Sequence, residues 1–483
     1  MNRLNRKVVN TREISPSRIL QFGGGNFLRA FLNWMVDILN EETDFDGSVI
    51  VVKPTERGNY SDLIDQEGIY TVLLNGLKQG VPVQEKRIVE CIGRVVNPYQ
   101  DWEAYLKTAH IPTMRFIVSN TTEAGIVFSA EDGLSEKPPK QFPAKLTHWL
   151  LERFTHFKGA PDKGCIFLPC ELVENNGVLL RDAIIAYTRH WNLGEAFETW
   201  IYDHNSFCDT LADRIVSGYP TKNSQELEQE LGYNDKLMVT GEVYHSWIIR
   251  APKPIERELP FFKTELNVQF VQDLAPYRNL KVRLLNGAHT AMVPIGLLAG
   301  KRTVGEFMED TLLKEYLKTL VFEEIAPCIK SLPEKEISAY VAAVLMRFEN
   351  PFIQHRLEAI SLNSIPKFKT RLLPSYLDYL EQKKSAPTYF TLALAALLFL
   401  YSDSHGIPAF EIKDADHIKQ MLFSYWKKLD EKQWTTEEFS DTVLEDIFND
   451  SIPLEARNLI AETLPMVLDK IRTDSIRNIL KIM

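Results

Sequence analysis

The stretch Arg18-Ile-Leu-Gln-Phe-Gly-Gly-Gly-Asn-Phe-Leu-Arg29 decides how the first half of the chain is read. Ile19 to Phe22 form a short apolar run of strand type, which enters a run of three glycines. Beyond it, Phe27, Ala30, Phe31, Trp34, Met35 and Ile38 recur at three- and four-residue spacings, the period of an amphipathic helix. A second apolar run, Val49-Ile-Val-Val52, follows Asp46-Gly47. Strand, glycine turn, helix and strand in this order open a dinucleotide fold. The glycines let the backbone approach a pyrophosphate, and the helix start offers free N–H groups and a favourable dipole. Phe22, Gly23, Gly24, Gly25, Asn26 and Phe27 are therefore the candidate cofactor contacts. Leu28 stands where the usual fingerprint has its third glycine, so the placement of the motif carries the reading more than its pattern does.

The acidic residue that normally ends the second strand and binds the ribose hydroxyls is missing, and Lys53 takes its place. NAD is the expected cofactor, with NADP left open because Lys53 and Arg57 suit a 2′-phosphate. Ile69–Leu74 and Val81–Val83 flank Asn75-Gly76 and Gln79-Gly80, which predicts hairpin strands inserted into the nucleotide domain. Arg115–Ser119 reads as a buried strand, and ligands of such sheets gather beyond the carboxyl ends of the strands. Ser119, Asn120 and Thr121 are accordingly expected near the cofactor. Gly164–Pro169 is a further strand, and it leads into the polar segment Cys170–Gly177. From Asn205 to Arg214 a helix capped by Ser206 is expected.

Bulk properties narrow the function classes. The 483 residues suffice for two or more domains, and 45% hydrophobic with 25% charged residues describes a globular protein. A formal net charge of −10 argues against a nucleic-acid or anionic-membrane partner. Five scattered cysteines form neither a disulfide framework nor a zinc motif, and no metal is expected. The first residues lack an apolar signal segment, and the apolar run 389–401 is too short to span a bilayer. A cytoplasmic protein is expected, as a monomer or weak homo-oligomer.

From residue 256 the character changes to long amphipathic helical patterns, with 303–316, 336–347, 389–401, 415–428 and 453–471 as examples. The fold expected is thus an α/β Rossmann-type N-terminal domain with hairpin insertions over residues 1–255, and a mainly α-helical C-terminal domain over residues 256–483. Early in the second lies Lys281-Val-Arg-Leu-Leu-Asn-Gly-Ala-His289. On an α-helix, at about 100° per residue, Asn286 lies about 140° and His289 about 80° round from Lys281. An amine, an amide and an imidazole sharing one broad face suit proton transfer at a carbonyl: Lys281 gives or takes the proton, Asn286 donates to the oxyanion, and His289 orients the substrate. Arg347, Lys367 and Arg371 add basic side chains able to hold an anionic substrate.

Gly23–Ala30, the turn Thr121-Thr-Glu-Ala-Gly125 and Lys281-x4-Asn286-x2-His289 together resemble the long-chain mannitol dehydrogenase family of polyol and sugar-acid dehydrogenases, over most of the chain. Segments 21–31 and 169–177 are most similar to members acting on hexuronate-derived sugar acids. The resemblance implies NAD-dependent, metal-independent interconversion of D-altronate and D-tagaturonate, with Lys281, Asn286 and His289 catalytic. Fructuronate reduction, oxidation of a neutral polyol and a catalytically silent nucleotide-binding protein are the alternatives. Two departures from the family pattern bear on the substrate. Many members carry Cys-Asp-Asn where this chain has Cys170-Glu171-Leu172, so Asn175 or Asn176 is expected to replace the lost substrate donor. Mannitol-type members often place an acid where Arg278 stands, and an arginine there is consistent with a substrate carboxylate, which Lys367 and Arg371 are also placed to bind.

Overall fold

The computed structural model describes residues 1–483 except Gln79, residues 122–124, Pro408 and Ala409. Thr122, Glu123 and Ala124 of the quoted turn thus lie outside the described residues, as does Gln79 of the hairpin. The chain divides into two compact units, Met1–Lys78 with Pro82–Leu274, and Ala275–Met483.

Among the described residues the first unit carries thirteen strands: β1 (Ser17–Phe22), β2 (Ser48–Val52), β3 (Tyr70–Lys78), β4 (Val81–Val89), β5 (Ile92–Val96), β6 (Phe116–Ser119), β7 (Ile166–Pro169), β8 (Ser206–Phe207), β9 (Asp209–Asp213), β10 (Val216–Gly218), β11 (Val239–Glu242), β12 (Ser246–Arg250) and β13 (Val268–Val271). Six of them form a parallel sheet in the order β5-β2-β1-β6-β7-β8. Its central strands are apolar on both faces, as a sheet covered on both sides requires. Ile19, Val49, Val51, Phe116, Val118, Ile166 and Leu168 enter one core. Leu20, Phe22, Ile50, Val52, Ile117 and Phe167 enter the other, beneath helix Phe142–His156. The strand order turns back on either side of β1, and at such a switch point a crevice opens beyond the carboxyl ends of the strands.

The hairpin expected after residue 69 is present and longer than its apolar pattern suggested. Strands β3 and β4 join β11 and β10 in a four-stranded sheet. A third sheet, β13-β12-β9, replaces the helix expected over 205–214. Ser206 is a strand residue paired with Ile166, not a helix cap. Asn205 closes the preceding helix instead: its Oδ1 accepts the Cys165 N–H (2.8 Å) and its Nδ2 donates to Trp200 O (2.9 Å). Because β13 pairs with β12, the residues from 256 to Leu274 pack with the first unit, and the change of character near 256 precedes the division between the units.

The second unit is helical, as expected. Helices Gly287–Leu298 and Thr388–Phe399 lie at its centre, buried nearly all round. The helical pattern over 303–316 resolves into Val304–Glu309 and Thr311–Thr319, broken where Asp310 caps the second helix. The pattern over 453–471 likewise resolves into Leu454–Ala461 and Leu464–Thr473. No helix among the described residues is long and apolar enough to cross a membrane.

Candidate active site

In the first unit the glycine turn leaves β1 at the carboxyl edge of the sheet. Gly23 takes a φ of +111°, and its N–H donates to Val52 O (3.1 Å). The N–H of Gly24 donates to the hydroxyl of Tyr60 (2.8 Å), and a Cβ on Gly24 would lie 2.8 Å from the Tyr60 ring. Gly25, by contrast, faces open space and caps the following helix without any side-chain bond. Gly25 and Asn26 are exposed. A helix start with an uncovered first turn is a ready anion site, so the cradle fits a dinucleotide pyrophosphate. Buried Gln21 and Asn33 hold it from below. Gln21 Nε2 donates to Gly23 O (2.7 Å), and Asn33 Nδ2 donates to Gln21 Oε1 (2.7 Å).

The helix behind the turn is not a regular α-helix. Arg29–Asn33 form a π turn, which displaces carbonyls from the usual ladder. Three of these are met by side chains: Tyr70 Oη donates to Arg29 O (3.0 Å), Arg214 Nη1 to Ala30 O (2.5 Å) and Cys91 Sγ to Asn33 O (3.2 Å). Phe22 packs its ring into the core against Phe142, with centroids 4.8 Å apart, which leaves its main chain to face the crevice. Phe27 stacks on Phe31. Lys53 is half-buried directly after β2.

Beyond β6 and β7 lies a buried carboxylate that the sequence showed only as a departure from the family pattern. Glu171, 3% exposed, accepts from Ser119 Oγ (3.0 Å), Thr121 N–H (2.9 Å) and Thr121 Oγ1 (3.0 Å). Burial raises its pKa and these bonds oppose the rise. Asn120 Nδ2 donates to Cys170 O (2.8 Å). The two residues expected to replace the missing substrate donor separate here. Asn176 is buried, and its amide is taken up by Pro169 O, Glu171 O and Thr210 O at 3.0–3.1 Å, while its Oδ1 accepts from Thr210 N (2.9 Å). It is a structural residue, with no donor left for a substrate. Asn175 is exposed in a left-handed conformation at the start of helix Asn176–His190.

In the second unit the candidate catalytic stretch is a π turn too. Lys281–Asn286 interrupt a helical run from Ala275 to Leu298, and the Gly287 N–H reaches back to Val282 O. Residues five apart are then separated by about one turn, which brings Asn286 closer to the face of Lys281 than the α-helical 140° allowed. Lys281, Asn286 and Arg278 are half-buried, while His289 is 9% exposed. The His289 ring packs against Phe348 (centroids 4.4 Å) and edge-on to His355 (4.9 Å, 82°). Burial, followed by His355, Arg347, Arg371 and Lys367, holds its pKa well below the ordinary imidazole value.

Helix Ser364–Arg371 delivers Lys367 and Arg371 to this place. Its first turn is capped from a distance, the Ile365 N–H donating to Asp414 Oδ2 (3.0 Å), which also accepts from Tyr401 Oη (2.8 Å). Lys367 Nζ donates to Ile360 O (2.8 Å). Burial and the neighbouring Arg371 lower the Lys367 pKa, and Asp414 opposes the shift. Proton-transfer groups thus lie on one helix, with a basic group around its histidine. No cluster of three or more potential metal ligands exists among the described residues.

The sequence pattern of the mannitol dehydrogenase Rossmann domain matches residues 17–262, and that of the mannitol dehydrogenase C-terminal domain matches residues 273–464. The chain belongs to the mannitol dehydrogenase family. Within the family it is 46% identical over 407 residues to the altronate oxidoreductase of Bacillus subtilis (strain 168), covering 84% of each chain. It is 44% identical over 452 residues to the altronate oxidoreductase of Pectobacterium carotovorum subsp. carotovorum (strain PC1), covering 92% of each. Among solved structures, Pseudomonas fluorescens mannitol 2-dehydrogenase in complex with NAD and D-mannitol shares the fold, with a TM-score of 0.64, 21% identity and 99% of each chain covered. A D-sorbitol dehydrogenase in substrate-free form superposes with a TM-score of 0.78 at 18% identity, covering 98% of this chain and 99% of that one.

Seen as a family member, the chain holds three features that spacing did not reveal. Tyr60 closes the glycine turn, Glu171 clamps the ends of β6 and β7, and His355 faces His289. Each is brought in from a distant segment. Glu171 alone left a signal, as an acid directly after an apolar strand.

Proposed function

We propose that this member of the mannitol dehydrogenase family is an NAD-dependent altronate oxidoreductase that interconverts D-altronate and D-tagaturonate. Its relatives bearing that name, at 44–46% identity, support the reading. The observation that favours a sugar acid over a neutral polyol is the gathering of Lys367, Arg371 and Arg347 around His289. Three cations in a half-buried place suit a carboxylate, which a neutral polyol lacks.

NAD is held at the glycine turn, its pyrophosphate over Gly23–Gly25 and the first turn of the helix from Asn26, with Phe22, Phe27, Lys53, Asn120 and Thr121 around it. Bound NADH supplies the hydride. Lys281, as ammonium, donates the proton that the ketone oxygen of tagaturonate takes on reduction; as neutral amine it removes that proton in oxidation. Asn286 donates a hydrogen bond to the oxygen as charge develops on it. His289, held neutral by its surroundings, presents a fixed imidazole to the substrate hydroxyls. Arg278, Lys367 and Arg371 bind the carboxylate, and Asn175 remains as an exposed amide for a hydroxyl. The enzyme works without a metal, in the cytoplasm, as a monomer or weak homo-oligomer, and with neither nucleic acid nor membrane as partner.

Oxidation of NADH and of NADPH with tagaturonate, fructuronate and fructose tests the reading. Fast turnover of tagaturonate with NADH is expected. Preference for fructuronate would reassign the substrate within the family, and preference for fructose would remove the carboxylate from the argument. No turnover with any of them would leave a nucleotide-binding protein.

A further inference from the structure

Glu171 is a buried acid with no part in the proposed proton transfer, and its place in the sheet gives it another use. The parallel sheet runs β5-β2-β1-β6-β7-β8, an order in which each set of three strands carries one nucleotide of a dinucleotide. The glycine turn after β1 suits the pyrophosphate, and the end of β2 faces the ribose of the adenosine half. The nicotinamide half then falls to β6, β7 and β8. Glu171 follows β7 closely and reaches across to the end of β6. There its Oε2 accepts from Ser119 Oγ, and its Oε1 from the N–H and the Oγ1 of Thr121. The main chain at this place is tied down independently: Cys170 N–H donates to Ser119 O (2.7 Å), and Asn120 N–H to Phe22 O (3.3 Å). A Cβ on Gly23 would lie 3.1 Å from Asn120 O, so the glycine turn abuts the same strand end. A backbone N–H can only donate, and Glu171 meets two of them, that of Thr121 and its own, besides the two hydroxyls. Burial raises its pKa, while this set of donors suits the ionised form. The donors are neutral, so they hold the negative charge without cancelling it. The adjoining Cys170 thiol is kept protonated by burial and adds no charge of its own.

We propose that Glu171 sets the preference of the site between the two oxidation states of the cofactor, its negative charge favouring the cationic ring of NAD⁺ over the neutral ring of NADH. The proposal rests on NAD lying across this sheet and adds an electrostatic role for one residue. Adjacent strands lie about 4.8 Å apart, so three of them span about 10 Å, and a ring bound over them comes within that range of a carboxylate set between two. At an effective dielectric constant of about 20, opposite unit charges about 10 Å apart change an affinity by about tenfold. Hydride transfer from NADH to the ketone leaves the ring cationic. The same charge therefore favours reduction of the keto acid on the enzyme and disfavours the reverse step.

The test is the ratio of dissociation constants, Kd of NAD⁺ over Kd of NADH, measured by calorimetric titration without substrate at about pH 8. In Glu171→Gln the ratio should rise about tenfold over the wild type. Glu171→Asp keeps the charge and moves it by one methylene, so its ratio should stay within about threefold of the wild type even where both affinities fall. A purely structural role would weaken both cofactors alike. An unchanged ratio in Glu171→Gln, or a tenfold rise in Glu171→Asp, would overturn the proposal and leave the cofactor reading intact. Failure of the wild type to bind either cofactor would overturn both. The wild type also offers a test that needs no variant. Oxidised nicotinamide mononucleotide, which isolates the ring, should bind more tightly than the reduced form, and the opposite order would sink the proposal.

Discussion

The backbone of Gly287 passes so close to the carbonyl of Arg371 that a Cβ at position 287 would lie 3.2 Å from its oxygen. Helix Ser364–Arg371 therefore ends against the helix that carries His289 at a point where a side chain would push it away. Gly287→Ala gains helix propensity of about 1 kcal/mol, and offsets it by displacing a backbone carbonyl by a few tenths of an ångström. Thermal stability should change little. KM for the sugar acid should rise several-fold, because Lys367 and Arg371 move with their helix. Unaltered KM would mean that the helix position does not govern substrate binding.

In the proposed mechanism Lys281 and Asn286 act on the same oxygen, so their substitutions should share a signature. Lys281→Ala is expected to lower kcat by about 10²–10⁴, the range of a lost general acid. Asn286→Ala should lower it by about 10²–10³, as for a lost oxyanion donor. NADH affinity, read by fluorescence titration, should stay at the wild-type value in both. Near wild-type turnover in Lys281→Ala would sink the assignment.

How much of this was legible in the sequence follows from how far apart the partners lie. Strands β1, β2, β6 and β7 were visible because a strand buried on both faces is an unbroken apolar run. The long helices of the second unit were visible through their period. The third sheet was missed: β9 and β12 are stabilised by each other across some forty residues, and Asn205 with Ser206 imitates a helix cap locally. At the site, Lys281, Asn286 and His289 stood out because they share one short segment, yet the π turn that sets their relative placement has no sequence signature. His355 meets His289 only through the fold, and no spacing could have announced it. The fate of Asn175 and Asn176 was likewise a matter of which one the chain buries.

Removal of one cation from the proposed carboxylate site should separate charged from neutral substrates. A charge-assisted hydrogen bond is worth about 1.5–3 kcal/mol. Lys367→Ala and Arg371→Ala should each raise KM for tagaturonate by about 10- to 100-fold. KM for fructose, where measurable, should move far less. Equal effects on both substrates would place these residues on hydroxyls rather than on a carboxylate.

Asn176 offers the contrasting case. Its replacement by alanine leaves the carbonyls of Glu171 and Thr210 and the N–H of Thr210 without their bonds in a buried place. The cost should be on the order of 3 kcal/mol, since each unsatisfied buried group forfeits its desolvation. Asn176→Ala should therefore melt at clearly lower temperature while the folded fraction keeps its KM. A raised KM at unchanged melting temperature would restore the substrate role.

Stability of the helical unit should depend on pH through Glu324. This buried carboxylate accepts the N–H groups of Tyr389 (2.9 Å) and Phe390 (2.7 Å) at the start of helix Thr388–Phe399. Burial dominates those bonds and pushes its pKa up to about 7, from 4.5 when free. Below the free value the group is protonated in both folded and unfolded chains and contributes no pH dependence. Between the two values the folded chain holds a proton that the unfolded one has released, so stability falls as pH rises through this window and levels off above it. The total loss is of order 3 kcal/mol. Glu324→Gln carries no charge at any pH and keeps an acceptor oxygen, so the variant should gain on the wild type from about pH 5 to about pH 8. Calorimetric melting curves across that range measure the difference, and parallel profiles for the two proteins would show that Glu324 is ionised in the folded state throughout.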